Sequence, residues 1–417
     1  MRIFIVAVGS HGDVLPLLAI GSELSRRGHA VTLAAPAPFA AMAARAHLPF
    51  FALGSEEDYR TITAEPDLWR PWCGAAAMFR HVSSLIEPTY HWLAENVRPD
   101  DSVVLASTLS LGARVAQDKL GLDLATVHLM PMLVESRTDP PTLPGLQLPE
   151  DLPPRLRHWI GRGADRVIIN PAALPPLNAF RTQIGLPPVH RLRHWWNSPQ
   201  RVFLAFPEWY ATPQPDWPSQ ALQVGFPLAD RFGDVVDLDP AVYAFLEAGA
   251  PPLAFTYGSA MTRSQGFFRT ALDLCVRLGR RGIFLAPQSG QVPDDLPPEV
   301  LHVPYAPFSR LLPRCAALIH HGGVGTVAQA LAAGIPQLVV PVAFDHFDEA
   351  RRVRRLGVGS SMSGRSFTPA RGEREIQRLL TDPSVARAGS IAKARMIEED
   401  GVGAACDAVE AFRALNS

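Results

Sequence analysis

Two segments of this chain, far apart in sequence, share one order of features: a short apolar run, a Gly-Ser turn, a helical pattern and a second apolar run. Continuous apolar runs are typical of strands covered on both faces, and a helix between two of them indicates a βαβ unit. In the first segment the apolar runs are residues 3–8 and 30–34, and the turn is Gly9-Ser10. In the second segment the apolar runs are residues 253–256 and 283–286, and the turn is Gly258-Ser259. The repetition predicts two doubly wound α/β domains.

Each predicted helix is followed by an Arg-Arg-Gly sequence, at residues 26–28 and 280–282, and glycine is a common C-terminal stop for helices. With 417 residues, the chain exceeds the roughly 250–300 residues at which single cores stop growing. Two proline-dense segments, 139–154 and 206–218, are predicted to be surface loops.

The composition bounds the class of protein. The chain is 47% hydrophobic and 19% charged, with a formal net charge of -1, which is typical of a soluble globular protein and gives no indication of nucleic-acid binding. The four cysteines form no CxxC pair, so neither a zinc site nor a disulfide framework is indicated. The apolar run 3–8 is too short for a signal peptide or a membrane span. We therefore expect a cytoplasmic protein.

The sequence HHGG at residues 320–323 lies between a predicted strand, 315–319, and a predicted helix, 324–333. Such turns lie at the carboxyl edge of a parallel sheet, where the N–H groups of the first helical turn favour an anion. Adjacent side chains face different ways, so we assign His321 to a phosphate, as a hydrogen-bond donor and, if protonated, a charge. We assign His320 to the core.

Other ligand classes are disfavoured. His302 and His346 are near in sequence, but their spacing fits no zinc pattern. The chain has neither a Walker P-loop nor GxGxxG after its first strand, which argues against ATP and dinucleotides.

The motif HHGGVGT, with YAPFSRLLP before it and PVAFDHFDEARRV after it, resembles the donor-binding signature of family 1 glycosyltransferases of the GT-B fold. GSHGDV at residues 9–14 resembles the N-terminal turn of their glycopeptide, macrolide and sterol members. The resemblance covers nearly the whole chain. Within the family, residues 193–218 resemble the rhamnosyltransferases of rhamnolipid biosynthesis.

The resemblance implies a GT-B fold with two Rossmann-like domains facing a central cleft. We expect an acceptor-binding domain at 1–225, a nucleotide-sugar-binding domain at 226–395 and a last helix at 396–417 that packs back across the domains.

The resemblance also implies roles for donor-binding residues. The diphosphate would contact the side chain of His321 and the backbone near it. The residues expected to bind the phosphates are Gly258, Ser259, His321, Gly323, Gly325 and Thr326. Tyr305 would stack on the base, the backbone of Ala306 would read the base edge, and Gln329 matches a position that contacts ribose. Gln329 is equally well explained as a packed or solvated helix residue.

Asp345 and His346 match the pair that holds the sugar hydroxyls in this family. His346 stands where glutamine is usual, and Glu349 where asparagine is common, so the identity of the sugar does not carry over.

Glycosyl transfer requires a base for the acceptor hydroxyl and stabilisation of the departing nucleoside diphosphate. Asp13 is the predicted base, although an aspartate just before a helix is also a common N-cap. His11 is the alternative base. A single base implies inversion at the anomeric carbon, and the helix N-terminus with His321 would replace a metal ion. The sequence Asp237-Leu238-Asp239 precedes Pro240 and is better explained as a helix cap than as a metal site.

All tryptophans lie in the first 217 residues, at positions 69, 72, 92, 159, 195, 196, 209 and 217. Core packing explains most of them, but they also favour an apolar acceptor in the first domain, with residues 139–154 as a wall or lid. The basic run 351–355 would either contact anionic headgroups at the inner membrane or form a solvated helix face.

From the resemblance we expect dTDP-L-rhamnose as donor, a hydroxyacyl-lipid-like acceptor and no cofactor. UDP-glucose, with a sterol or polyketide acceptor, is the alternative. A nucleotide-sugar epimerase and a noncatalytic donor- or lipid-binding partner are the other hypotheses.

Overall fold

The computed structural model describes residues 1–70, 73–143, 148–149, 152–230, 237–261 and 264–416. It contains two compact units, Met1–Ala229 with Asp400–Ser417, and Asp230–Glu399. The domain limits predicted at 225 and 395 fall a few residues before these positions. Trp72 and parts of the segments 139–154 and 226–239 lie outside the described residues.

The first unit is built on a parallel sheet. Its described strands are β1 Arg2–Val6, β2 Ala30–Ala35, β3 Phe50–Ala52, β4 Ser102–Ser107, β5 Leu124–His128, β6 Arg201–Leu204 and β7 Ala221–Gln223. Their order is β3-β2-β1-β4-β5-β6-β7, so β1 is an interior strand, and Ile3 pairs with Val31 on one side and Val103 on the other. β1 is almost wholly buried, which explains its continuous apolar sequence.

Helices connect these strands. They are α1 His11–Arg26, α2 Ala40–Arg45, α3 Glu56–Ala64, α4 Gly74–Ser84, α5 Ile86–Asn96, α6 Leu111–Leu120, α7 Pro154–Ala164, α8 Asn170–Gln183 and α9 Leu192–Trp195. A π-helical turn, Asp165–Ile169, joins α7 to α8.

The second unit repeats the layout. Its described strands are β8 Leu253–Thr256, β9 Gly282–Leu285, β10 Val300–Val303, β11 Ala317–His320, β12 Gln337–Val339 and β13 Gly359–Ser361, in the parallel order β10-β9-β8-β11-β12-β13. Its helices are α10 Pro240–Glu247, α11 Gln265–Leu278, α12 Phe308–Leu311, α13 Val324–Ala333, α14 His346–Arg355, α15 Pro369–Thr381 and α16 Pro383–Glu398. The two sheets confirm the predicted α/β class with two Rossmann-like units.

The last helix, α17 Gly401–Asn416, belongs to the first unit and packs on α1. Arg27, at the end of α1, binds Asp407 at 2.5 Å and Glu410 at 3.0 Å. On the same helix, Cys406 is fully buried and its thiol lies 3.6 Å from the carbonyl oxygen of Ile20. A buried thiol and a cluster of ion pairs therefore fix α17 against α1.

The Arg-Arg-Gly prediction is correct for the first helix and wrong for the second. Gly28 follows α1 with φ +91°, as a C-terminal glycine should. After α11, however, Gly279 takes the left-handed conformation at φ +58°, and Gly282 is the first residue of β9. A Cβ on Gly282 would lie 2.6 Å from the sulfur of Cys275. Gly282 is thus required by packing between strand and helix.

Among the described residues, no helix is long and apolar enough to span a bilayer.

Two glycines allow α16 to approach the end of α13. Gly334 ends α13 with φ +74°, and a Cβ on Gly389 of α16 would lie 2.5 Å from its carbonyl oxygen. We expect Gly389→Ala to lower the free energy of unfolding of the second unit by about 1–3 kcal/mol, because the new methyl group forces the helices apart. Urea unfolding measures this change.

Gly266→Ala is the matched control, because Gly266 is also a helical glycine of the second unit and a Cβ there would meet nothing within 4 Å. It should leave stability unchanged or slightly raised. Equal destabilisation by both variants would contradict the packing account.

Candidate active site

The candidate donor site lies where the strand order of the second sheet reverses. β8 lies between β9 and β11. From β8 the strands β9 and β10 continue towards one edge of the sheet, and β11, β12 and β13 continue towards the other. The carboxyl ends of β8 and β11 therefore border a crevice. The turn containing Gly258 follows β8, and the turn 321–323 follows β11. The structure thus brings together two of the predicted phosphate-binding segments.

The imidazole of His321 occupies space left by two glycines. A Cβ on Gly323 would lie 2.7 Å from Nε2 of His321, and one on Gly258 would lie 3.1 Å from it. Gly258 also has φ +92°, a conformation that side chains disfavour. Glycine is therefore needed at both positions to seat the ring. Ser259, the next residue, is exposed.

Burial keeps His321 neutral. The residue is 9% exposed, and burial lowers the pKa of its imidazole to about 4. Its Nδ1 is buried and has no hydrogen-bond partner within the described part of the chain. The structure therefore does not support the expected extra charge from a protonated ring, and a hydrogen bond is what this side chain can offer at neutral pH.

His320 is a core residue, as predicted. It ends β11 with no exposed surface, and burial lowers its pKa to about 3. Its Nε2 lies 3.1 Å from Oε1 of Gln337, and its Nδ1 accepts a hydrogen bond from the backbone N–H of Gly322. These contacts hold the turn that carries His321.

His346 packs directly against His321. The ring centroids are 4.7 Å apart and nearly perpendicular. Nδ1 of His346 accepts from the backbone N–H of Ala343 at 3.3 Å, so its remaining proton is on Nε2. Burial, and then the neighbouring His321 and His320, hold its pKa well below the usual range.

Asp345 is the N-cap residue of α14, and its carboxylate lies at the N-terminus of α13. Its Oδ2 accepts from the backbone N–H of Val324 at 3.3 Å, and the residue is 7% exposed. The preceding residue, Phe344, has φ +49°, which is strained for a bulky side chain and is the kind of backbone that clusters at functional sites. The sequence carried no signal for this strain.

The first turn of α13 retains donors for an anion. Gly323 is the N-cap and supplies no side-chain bond, and Val324 is engaged by Asp345. The N–H groups of Gly325 and Thr326 belong to this first turn, where a helix has no internal acceptors. A Cβ on Gly325 would meet nothing within 4 Å, so the approach to these amides is open.

The remaining predicted donor residues are more widely spaced. Tyr305 and Ala306 follow β10, at the same sheet edge but two strands from β8, which corresponds to ~10 Å. Tyr305 is half-buried, whereas Ala306 is 4% exposed and packs in the apolar core. Gln329, within α13, is 8% exposed. Their roles stay predictions.

In the first unit, Asp13 folds back over the turn after β1. A Cβ on Gly9 would lie 2.2 Å from Oδ2 of Asp13, and Gly9 has φ +140°. The same Oδ2 accepts hydrogen bonds from the backbone N–H of Ser10 at 2.7 Å and from its hydroxyl at 3.1 Å. Glycine is therefore needed here too, as it is beside His321.

Asp13 is not the N-cap residue of α1, so the alternative explanation of this residue as an N-cap is wrong. α1 begins at His11, earlier than predicted, so Ser10 is the N-cap and Asp13 is the third helical residue. Desolvation by burial raises the pKa of the Asp13 carboxyl, although both hydrogen bonds from Ser10 lower it. Burial disfavours the charged form of this carboxyl, and helix capping alone does not explain why a carboxyl is buried here.

His11 lies near Asp13 but in apolar surroundings. Its ring centroid is 4.9 Å from that of Phe39, which in turn is 5.9 Å from Tyr59. Burial, followed by the charge of Asp13, raises the pKa of Tyr59 to about 12. Phe39 is fully buried, whereas His11, Asp13 and Tyr59 are partly exposed, and Asp13 is the one carboxyl among these four side chains.

Sequence reasoning missed a buried polar chain at the same sheet edge. Thr108, just after β4, lies 2.7 Å from Nδ1 of His128, whose Nε2 lies 2.7 Å from Oδ1 of Asn197. His128 has no exposed surface, and burial lowers its pKa to about 4. Thr108 and His128 each come soon after a short apolar run in the sequence, which was the available signal.

The tryptophans are mostly structural. Trp92 and Trp196 are buried, and Trp195 donates to Asp118. A groove in the first unit does include the described start of the loop 139–154, but no tryptophan lines it. Its lining is Glu135, Ser136, Pro140, Pro141, Leu143, Arg157, His158, Gly161, Arg162, Asp165 and Arg193.

The acidic sequence at 237–239 caps α10, as predicted. Asp239 accepts from the backbone N–H of Ala241 at 2.8 Å, and Asp237 accepts from the hydroxyl of Tyr243 at 2.7 Å. Within the described ranges, no three His, Cys, Asp or Glu side chains converge as metal ligands would.

Comparisons with known proteins agree with this architecture. Residues 3–137 match the glycosyltransferase family 28 N-terminal domain, and residues 278–403 match the C-terminal domain of erythromycin biosynthesis protein CIII-like proteins. The chain is 30% identical to O-mycaminosyltylonolide 6-deoxyallosyltransferase of Streptomyces fradiae, over 98% of this chain and 97% of the relative. It is 28% identical to vancomycin aglycone glucosyltransferase of Amycolatopsis orientalis, over 97% and 96%.

Solved structures share the fold. The kitacinnamycin glycotransferase superposes with a TM-score of 0.75 at 22% identity, covering 99% of this chain and 98% of the other. The spinosyn rhamnosyltransferase SpnG, complexed with thymidine diphosphate, gives a TM-score of 0.69 at 20% identity and covers both chains fully. With the parallel sheets and the end-to-end similarity to characterised transferases, the chain belongs to the glycosyltransferases of the GT-B fold.

Proposed function

We propose that this enzyme transfers a sugar from a nucleoside diphosphate donor to a hydroxyl of an apolar acceptor, with inversion and without a metal ion. The observation that carries the proposal is the seat of His321, a neutral imidazole held against Gly258 and Gly323 beside the open N-terminus of α13. Membership of the family supports transfer over epimerisation or a noncatalytic role.

The leaving group is stabilised by fixed donors. The amides of Gly325 and Thr326 and the N–H of His321 neutralise negative charge as the bond to the anomeric carbon breaks. Because His321 is neutral at pH 7, its contribution is a hydrogen bond from an oriented ring and needs no proton uptake. In this proposal Asp345 and His346, which contact Val324 and His321, bind the sugar hydroxyls.

Asp13 accepts the proton of the acceptor hydroxyl. Its raised pKa makes it a stronger base than an ordinary aspartate, and Ser10 fixes its orientation through two hydrogen bonds. His11, which packs against Phe39, remains the alternative base.

Several similarities bear on the donor and the acceptor. Two structural neighbours hold thymidine diphosphate, and one of them is a rhamnosyltransferase, which supports dTDP-L-rhamnose as donor. The rhamnolipid-like segment 193–218 supports a hydroxyacyl-lipid acceptor. The relatives that act on a tylonolide and on the vancomycin aglycone support the alternative equally well: a natural-product acceptor, with UDP-glucose among the donors.

The basic run 351–355 does not present the expected uniform face to lipid headgroups or to solvent. Arg351 and Arg352 are each 4% exposed and bind the buried Asp348 at 2.9 Å, while Arg354 and Arg355 are exposed. Peripheral membrane contact therefore needs a different surface.

Replacing His321 tests the phosphate role. We expect His321→Ala to weaken binding of thymidine diphosphate, measured by calorimetry, roughly ten- to hundredfold, because a hydrogen bond to a charged group contributes about 1.5–3 kcal/mol. His302→Gln is the control, since His302 is a half-buried histidine of β10 whose Nε2 lies 2.8 Å from the backbone carbonyl oxygen of Ala286. If His321→Ala bound thymidine diphosphate as tightly as the unchanged protein, the assignment of His321 to the phosphates would be wrong.

Replacing Asp13 tests the base. Asp13→Asn should lower kcat by about 10²–10⁴-fold, while donor affinity is retained, because the amide keeps the shape but cannot take a proton. Asp58→Asn is a matched control, because Asp58 occupies the same position in α3 and accepts the same two bonds from Ser55. If both variants lost activity equally, Asp13 would be only a cap.

The mechanism also predicts turnover without a divalent cation. With dTDP-L-rhamnose and 3-hydroxyacyl ester acceptors, product formed in excess EDTA should equal that formed with Mg²⁺, because protein donors hold the diphosphate. Loss of turnover in EDTA and its recovery with Mg²⁺ would contradict the mechanism. Turnover with UDP-glucose and a macrolide, but none with the rhamnosyl donor, would select the alternative.

A further inference from the structure

The outer face of α7 and of the π-helical turn after it exposes large apolar side chains. Leu156, Trp159 and Val167 are 47%, 66% and 70% exposed. Leu156 and Trp159 are three residues apart, and Val167 comes eight residues after Trp159, about two helical turns further on, so the three side chains follow one side of the helix. Scattered apolar side chains are ordinary on a surface, but three along one helical stripe indicate a contact.

The stripe cannot turn inward, because the opposite face of the helix is fixed. His158 is 7% exposed, and its Nδ1 lies 3.2 Å from the carbonyl oxygen of Ser136. Asp165, in the π-helical turn, accepts from Nε of Arg193 at 2.9 Å. The apolar side chains therefore point outward in the folded first unit.

Basic side chains flank the stripe. Arg155 and Arg166 are exposed, and Arg162 is half-buried with its guanidinium 5.6 Å from the ring of Trp159. From residue 154 to residue 169 there are four arginines and one acidic residue, Asp165, which is engaged with Arg193. This surface therefore combines exposed apolar groups with a net positive charge.

We propose that residues 155–167, which we call the α7 face, bind the surface of a bilayer that contains anionic lipids. A helix with aromatic and aliphatic side chains beside arginines is suited to the boundary between headgroups and acyl chains, where the rings and methyl groups enter and the guanidinium groups stay at the phosphates.

A membrane fits this face better than a stable protein partner. Three side chains supply less area than the ~800 Å² that each protein contributes to a standard interface. A lipid surface needs no shape complementarity, and an anionic one matches the excess of arginines. The α7 face contains none of the residues assigned to the donor or to the base, so the proposal does not depend on the identity of the acceptor.

Vesicle flotation tests the proposal with the full chain. The anionic vesicles consist of phosphatidylcholine with about 30% phosphatidylglycerol, and we expect the protein to float with them. The fraction of protein bound to pure phosphatidylcholine vesicles should be at least threefold lower. Val167→Ser should lower the bound fraction at least threefold. Val276→Ser is the matched control, because Val276 is 69% exposed on α11 of the second unit, and it should bind like the unchanged protein.

A second pair of variants tests the charge. Arg166→Gln should weaken binding to the anionic vesicles, and added salt should reduce the difference, since exposed charges are screened. Arg387→Gln, at an exposed arginine of α16, should have no effect. All four variants should keep the melting temperature of the unchanged protein, because the altered side chains are on the surface.

Three results would overturn the proposal. The first is equal flotation of the unchanged protein and Val167→Ser, and the second is no flotation with anionic vesicles. The third is a dimer in light scattering that Val167→Ser converts to a monomer, which would assign the α7 face to a second copy of the chain.

Discussion

Both candidate sites depend on the absence of a side chain at a glycine. Gly9 leaves space for the carboxylate of Asp13, and Gly258, with Gly323, leaves space for the imidazole of His321. Gly9 follows β1 and Gly258 follows β8, the first strand of each unit in chain order, and each glycine has a positive φ. The similarity of the two Gly-Ser turns therefore has a physical cause: in both units a candidate site side chain lies against the backbone of the glycine, from the following helix in the first unit and from the turn after β11 in the second.

Burial then determines what these groups can do. Asp13 and Asp58 accept the same pair of hydrogen bonds from a capping serine, yet the pKa of Asp13 is raised and that of the exposed Asp58 is lowered. The difference is desolvation, which outweighs the hydrogen bonds only at Asp13. The same effect keeps His321 neutral. Burial thus makes the carboxylate of Asp13 more basic. It makes the imidazole of His321 neutral, so that this ring can offer an oriented hydrogen bond but no charge.

The sequence was sufficient for features that depend on local pattern. The bounds of α13 and the presence of a strand just before it followed from an apolar run and a glycine stop. His320 was correctly separated from His321 because neighbouring side chains diverge. Features that depend on tertiary contacts were missed. The choice of Gly279 over Gly282 as a stop reflects packing on Cys275, and the strain at Phe344 and the chain from Thr108 through His128 to Asn197 involve residues brought together only by folding.

The return of α17 to the first unit affects how the chain can fold during synthesis. Residues 1–229 emerge from the ribosome long before residues 401–416, whose Asp407, Glu410 and Cys406 complete the surroundings of α1. Until then the partners of Arg27 and the cover over Ile20 are missing. Domains generally fold as units in the order of translation. Here the first unit is the first to be synthesised, but it can be completed only after the second unit has been synthesised. An early nascent chain therefore exposes apolar surface on α1 that chaperones could recognise.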